Sequence, residues 1–77
     1  MQAALESACE EARRAGAIRI RRIVLSVGSN AGVVDEALQF AFEALSPGTF
    51  ADGAALVIEQ GAVSEALELA RVEVEVP

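Results

Sequence analysis

The feature of the sequence that most limits the fold is the stretch GVVDEALQFAFEAL at residues 32–45. It has the spacing of a helix but too little polar surface to stand alone. One apolar stripe recurs at helical spacing and consists of Leu38, Ala41, Phe42 and Leu45. Three further residues widen the stripe past half of the circumference: Ala37, Phe40 and Ala44. The polar face is left to Glu36, Gln39, Glu43 and Ser46. We therefore expect this helix to be covered on more than one side, with both phenylalanines in the core.

Signals at both ends support this helix. Asp35 is expected to cap it by accepting a hydrogen bond from the first free amides, and Glu36 is favoured in the first turn by the helix dipole. Ser46, Pro47 and Gly48 are expected to end it.

A first helix is predicted over residues 4–15. Its apolar stripe is one-sided and consists of Leu5, Ala8, Cys9 and Ala12. Glu10 and Arg14 are spaced for an ion pair along the helix, and Gly16 most easily takes the left-handed conformation that ends a helix. Since Cys9 belongs to the stripe, we interpret it as a small core residue rather than a reactive thiol.

Three segments show the alternation of strands. In the first, Ile23, Leu25 and Val27 alternate with less apolar residues, whereas Ile18 and Ile20 have the opposite phase, so either a bulge or a late strand start is required near Arg21 and Arg22. The second strand is predicted at residues 55–60. The third covers residues 70–76, with one face formed by Ala70, Val72, Val74 and Val76 and the other by Arg71, Glu73 and Glu75.

The connections carry weaker signals. Residues 28–32 are interpreted as a plain connector rather than an anion-binding loop, because they match no phosphate-binding fingerprint. Residues 61–69 are expected to turn or to form one short helical turn that begins at Ser64.

The order of elements predicts an α/β (α+β) fold: two helices packed on one face of a three-stranded mixed sheet, in the order α-β-α-β-β, as a single domain at residues 1–77. Arg19 or Arg21 on the first strand can face Glu73 and Glu75 on the last, which favours these two strands as neighbours. The rest of the strand order is left open.

Composition excludes several classes of function. The chain has no His and a single cysteine, Cys9, which excludes an internal disulfide, a cysteine zinc cluster and a Ser/His or Cys/His catalytic pair within these residues. We therefore predict no catalytic, cofactor-binding or metal-ligating residue and no cofactor. No apolar run reaches the length of a membrane helix, and Glu6, Glu10 and Glu11 are unlike a signal peptide, so a cytoplasmic protein without membrane contact is expected.

Charge is unevenly distributed. Five of the six basic residues lie between Arg13 and Arg22, whereas nine of the twelve acidic residues lie from Asp35 onward. The basic cluster has no interleaved aromatic residues and sits in a chain of net charge −6. We expect intramolecular pairing and a solvated face rather than nucleic-acid binding.

Four segments resemble one known family in order and spacing. They are EEARRAGAIRIRRIVLSVG at residues 10–28, GVVDEALQFAFEAL at 32–45, GTFADGAALVIE at 48–59 and LELARVEVEV at 67–76. The chain resembles the HypA/HybF family of nickel metallochaperones for hydrogenase maturation, in which the second segment reads Gly-Val-Val-Pro-Glu-Ala-Leu-x-Phe-Ala-Phe-Glu.

The departures from that family concern its metal sites. Members begin Met-His-Glu and bind nickel there, whereas this chain begins Met-Gln-Ala. With the strands in register, Met1 aligns inside the family's first helix, so Gln2 does not replace the nickel ligand. Members also carry a zinc domain with two cysteine pairs between the second and third strands, where this chain has Gly-Ala-Val-Ser at 61–64, and Asp35 replaces a proline. The resemblance implies a shortened α/β core, engineered or naturally reduced, that lacks both metal sites.

Two functions follow from the resemblance. The first is a non-enzymatic binding or scaffold module that meets hydrogenase maturation proteins and self-associates through its sheet edges as a defined oligomer. The segment Arg19–Arg22 of one chain could then meet Glu59, Glu73 and Glu75 of another. The alternative is a functional nickel metallochaperone whose ligands come from the amino terminus, carboxylates or another chain. An enzyme is disfavoured, because the paired acids Glu73 and Glu75 have no accompanying base or nucleophile.

Overall fold

The fold was analysed in a computed structural model that describes residues 1–29, 32, 35–61 and 67–77. Within them the chain forms α1 (Gln2–Arg14), β1 (Arg19–Val27), α2 (Asp35–Leu45), β2 (Ala55–Gln60) and β3 (Leu67–Glu75). This order confirms the predicted α-β-α-β-β arrangement. The centre of the predicted connector and the predicted turn at Ser64 lie outside the described residues. Of the helices that the structure describes, neither is long and apolar enough to cross a membrane.

The three strands form one mixed sheet in the order β2-β1-β3. β1 pairs in parallel with β2, as a strand–helix–strand unit allows, and antiparallel with β3. Val27 lies between Gln60 on one side and Leu67 on the other, and at the opposite end Arg19 pairs with Glu75. The expected pairing of the first strand with the last is confirmed, and β1 is the central strand of the sheet.

Two register shifts in the pairing of β1 with β3 decide which of their side chains face the helices. The pairing of β1 with β3 shifts between Ile20 and Arg22, which leaves Arg21 as an extra residue on β1. A bulge, not a late strand start, therefore absorbs the change of phase seen in the sequence. The second shift leaves Ala70 extra on β3.

The bulge at Ala70 corrects the prediction for the last strand. The strand begins three residues earlier than predicted, at Leu67, and Ala70 is exposed instead of sharing the inner face. The inner positions before the bulge belong to Leu67 and Leu69, which pack against the core. Val76, also assigned to that face, follows the end of β3 and is 55% exposed.

The core lies between the two helices and one face of the sheet. Its buried side chains are Leu5, Ala8, Ala12, Ala17, Ile20, Ile23, Leu25, Val27, Leu38, Phe42, Ala51 and Leu56. The bulkiest fully buried side chains, Ile20, Ile23, Val24 and Leu25, all belong to β1. Cys9 is half-buried against this cluster, in agreement with its assignment to the apolar stripe.

The helix ends follow the sequence signals with one correction. Gly16 has φ +69° after α1, and the N–H of Ala17 donates to the carbonyl of Ala12 at 3.0 Å, which closes the helix end. The predicted Glu10–Arg14 pair forms at 3.9 Å. α2 begins at Asp35, so this carboxylate lies in the first turn with Glu36 and not in the capping position before it.

Candidate functional site

The outer surface of α2 exposes apolar side chains. Leu38 and Phe42 point into the core with 7% and 3% of their surface exposed. Phe40 is 70% exposed and Leu45 is 40% exposed. Ala37 and Ala44 on the same helix are exposed as well. We define the exposed residues Ala37, Phe40 and Ala44 as the α2 outer face.

α2 packs against both α1 and β2, as expected for a helix covered by another helix and the sheet, but neither of them covers Phe40. Residues two positions apart on a helix point about 200° apart, so Phe40 and Phe42 cannot both face one layer. The described elements bury Phe42 and leave Phe40 to solvent. The expectation that both phenylalanines are core residues is therefore wrong for Phe40, because the helical pattern alone did not show which part of the apolar surface is covered.

The predicted polar face of α2 also needs correction, because two of its members face the protein. Ser46 is only 6% exposed, and its carbonyl accepts a hydrogen bond from the Thr49 hydroxyl at 2.6 Å. The Nε2 of Gln39 donates to the carbonyl of Leu56 at 3.0 Å. These bonds tether α2 to the turn that follows it and to β2.

The bond from Gln39 falls on the outer edge of the sheet. The N–H of Gly61 donates to the carbonyl of Val27 at 2.8 Å. Every second residue of β2, counted back from Gly61, therefore points its peptide groups towards β1. Leu56, Ile58 and Gln60 then point their peptide groups away from β1. Gln39 satisfies one edge acceptor and holds α2 beside this edge.

The sheet face opposite the helices carries a cluster of charges near the start of β1. It consists of Arg19, Arg21, Arg22, Arg71, Glu73 and Glu75, and we call it the arginine patch. Arg19 Nη2 lies 2.8 Å and Arg21 Nη1 3.8 Å from Glu75 Oε1. Glu73 Oε2 lies 3.2 Å from Arg71 Nε and 3.7 Å from Arg22 Nη1. The expected pairing across the first and last strands is confirmed, and it forms within one chain.

The described residues contain few other candidate binding sites. Cys9 borders a surface hollow of about 320 Å³ with Glu6, Glu10, Arg13 and Phe50. An open groove of about 430 Å³ runs between the end of α1 and β3, along Leu69, Val72 and Val74. Within residues 1–29, 32, 35–61 and 67–77, no three His, Cys, Asp or Glu side chains gather as a group of metal ligands.

Comparison with known proteins links this fold to one family. The family model of HypA, described as hydrogenase/urease nickel incorporation metallochaperone, matches residues 1–74. The hydrogenase maturation factor HypA of Rhizobium leguminosarum bv. viciae is 42% identical over 60 residues, which are 78% of this chain and 53% of the relative. That of Geobacter sulfurreducens is 50% identical over 42 residues, which are 54% of this chain and 38% of the relative. The chain thus spans about half, or less, of the length of these two relatives.

A solved structure supports the same fold. The solution structure of the nickel metallochaperone HypA from Helicobacter pylori matches with a TM-score of 0.74, covering 97% of this chain and 94% of that chain. The sequences are 17% identical over this match, so the likeness is one of fold.

Proposed function

The chain belongs to the HypA family of hydrogenase/urease nickel-incorporation metallochaperones, and from that premise we propose that its 77 residues act as a cytoplasmic, non-enzymatic binding module in hydrogenase maturation. The module is one HypA-like core domain that meets maturation proteins and a second copy of itself. It contributes no nickel or zinc ligand set of its own.

The observation that carries this proposal is the exposure of Phe40. A phenylalanine that is 70% exposed leaves apolar area in water whose burial is favourable by roughly 25 cal/mol per Å². Ala37 and Ala44 flank it at helical spacing and leave room beside the ring. Two copies of α2 can therefore pack antiparallel, with Phe40 of each above the small residues of the other. Such a contact is two-fold and closes on itself.

The proposed lack of metal ligands is supported by the chemistry of the residues present. Nickel in proteins favours imidazole and thiolate ligands, and the chain offers no His and one half-buried cysteine, Cys9. Its carboxylates suit harder ions. In the structure Glu73 and Glu75 are engaged with arginines of the arginine patch.

The second candidate function is that of a working nickel metallochaperone. It is favoured by the family match over residues 1–74. On this hypothesis the ligands come from the amino terminus, from carboxylates or from another chain, and nickel binding is the property that separates the two candidates.

A nickel titration of the purified 77-residue chain by calorimetry tests the choice. The protein is first treated with EDTA and dialysed, and a hexahistidine peptide serves as positive control for the assay. We expect no nickel and no zinc binding with a dissociation constant below about 1 µM. Stoichiometric nickel retained after dialysis would overturn the metal-free module and favour the chaperone.

A further inference from the structure

The arginine patch has an excess of positive charge that the rest of the chain does not share. Four guanidinium groups face two carboxylates, a local net charge of +2, although the whole chain has a net charge of −6. The remaining residues therefore sum to −8. The same face also carries Glu59 and Glu68, which both pair with Ser26 towards the other end of β1. The excess of positive charge is therefore confined to the Arg19 end of this face.

The guanidinium groups are only partly used by the two carboxylates. Arg19 donates from both Nε and Nη2 to the same oxygen of Glu75, at 3.0 and 2.8 Å. Arg21 and Arg22 lie 3.8 and 3.7 Å from the nearest carboxylate oxygens, which is beyond hydrogen-bond distance. The side chains of these three residues are 58%, 64% and 49% exposed. Each guanidinium has five donors in a fixed plane, so most donors of the patch remain available to a ligand.

The fold concentrates these arginines by two devices. The bulge at Arg21 adds one residue to β1, so that Arg21 and Arg22 both reach the carboxylates of β3 instead of alternating across the sheet. Arg71 pairs in register with Val24, which brings it to the same helix-free face. Beside these charges Val57 is half-buried next to the fully buried Val24. The patch is thus an exposed basic surface with a short apolar border.

We propose that the arginine patch binds a carboxylate-rich, extended segment of a partner protein. Arginine pairs with carboxylates through two parallel hydrogen bonds, and several arginines in a row match acidic side chains along an extended chain. The acids nearest to the patch on this face, Glu59 and Glu68, pair with Ser26, which lies roughly 13 Å along β1 from Arg22 at 3.3 Å per residue. This distance exceeds the Debye length of about 8 Å at physiological salt, so a ligand on the patch is largely screened from them.

Two other occupants fit less well. A nucleic acid carries its charge over a long length and would meet the net charge of −8 on the rest of the chain, and none of the three phenylalanines belongs to the patch. A second copy brings a net charge of −6 against a protein of the same charge. A short acidic segment can lie on the patch alone. The inference concerns a different surface from the α2 outer face and does not depend on self-association.

Fluorescence anisotropy with a labelled hexaglutamate peptide tests the proposal on the full chain. In 150 mM NaCl, where the Debye length is about 8 Å, we expect saturable binding with a dissociation constant below about 1 mM. The double variant Arg21→Gln/Arg22→Gln should bind about five-fold more weakly. The matched control Arg13→Gln/Arg14→Gln removes the same charge from α1 and should change binding by less than about two-fold. Circular dichroism checks that both variants are folded.

Several results would overturn the proposal. Absence of saturable hexaglutamate binding does so, and so does an equal loss in both double variants, because only net charge would then matter. Tighter binding of a thymidine hexanucleotide would assign the patch to nucleic acid. If Arg21→Gln/Arg22→Gln abolished self-association in sedimentation, the occupant would be a second copy. A negative result in the nickel titration or in the Phe40 experiments does not bear on the arginine patch, so the two proposals can fail independently.

Discussion

Arg19 and Glu75 are 56 positions apart in the chain, yet they lie opposite each other on β1 and β3 with Arg19 Nη2 2.8 Å from Glu75 Oε1. Next to them the N–H of Ile18 donates to the carbonyl of Glu75 at 2.9 Å. Side chain and main chain together therefore fix the end of the last strand against the beginning of the central one.

The first prediction concerns the energy of this pair. A double-mutant cycle with Arg19→Gln and Glu75→Gln should give a coupling free energy of about 0.2–1 kcal/mol, because the Arg19 side chain is 58% exposed and solvent screens the attraction. Urea unfolding at low salt measures it, and 1 M NaCl should reduce it. A coupling above about 2 kcal/mol, unchanged by salt, would contradict this picture. The local pair of Glu11 and Arg14 on α1 provides the matched control cycle.

The second prediction compares two phenylalanines of one helix. Phe42→Ala should lower the free energy of unfolding by about 3–5 kcal/mol, because the ring is 3% exposed and its removal leaves a cavity. Phe40→Ala is the control and should cost less than about 0.5 kcal/mol, since that ring is 70% exposed. Denaturant unfolding of dilute protein measures both. A loss below about 1 kcal/mol for Phe42→Ala would show that this face of α2 is not the buried one.

The third prediction addresses the end of α1. Gly16→Ala should destabilise the protein by about 1 kcal/mol. Gly16 has φ +69°, and this left-handed conformation is unfavourable for any residue that carries a Cβ atom. An added Cβ meets nothing within 4 Å, so the cost is one of backbone conformation alone. Ala3→Gly within α1 is a control for helix propensity. At positions with ordinary φ the same replacement usually stabilises, and a stabilising result at Gly16 would therefore refute the left-handed assignment.

The fourth prediction concerns assembly. At hundreds of micromolar the protein should sediment as a defined oligomer, and Phe40→Ser should shift it towards monomer because the apolar contact is lost. Ala3→Ser changes an exposed residue of α1 and should leave the distribution unchanged. A single monomeric species of the unaltered protein at these concentrations would exclude self-association.

The order of elements and the pairing of the first strand with the last could be predicted from the sequence, because both depend on local periods and on opposite charges that can meet. The alternation around Ile23 and Leu25 identifies β1, whereas the break at Arg21 and Arg22 left a bulge and a late strand start open, and the structure has the bulge. The exposure of Phe40 could not be predicted from the sequence, since an apolar helix surface does not show how much of it other elements cover. The bulge at Ala70 was also missed, because the alternation from Val72 onward continues through Ala70 by coincidence of composition.

For the candidate surfaces, too, one part could be predicted from the sequence and another part could not. The sequence indicated that Arg19 or Arg21 could face Glu73 and Glu75, and the structure confirms this for Glu75. Glu73 pairs instead with Arg22 and Arg71. The surplus of positive charge could not be predicted, because it depends on the bulge at Arg21, which lets Arg21 and Arg22 both reach the carboxylates of β3. Gln39 was placed on a solvated face by its helical position, whereas its bond to Leu56 depends on how α2 sits over β2.

The central position of β1 has a consequence for the synthesis of the chain. Both neighbours of β1 follow it in the sequence, β2 at Ala55–Gln60 and β3 at Leu67–Glu75. A growing chain can therefore pair β1 with β2 before β3 has been synthesised. Until then the other edge of β1, the strand with the most buried side chains, remains unpaired. During that interval neighbouring nascent chains compete for the open edge. The speed with which the last strand docks, more than the stability finally reached, then sets the yield of folded protein.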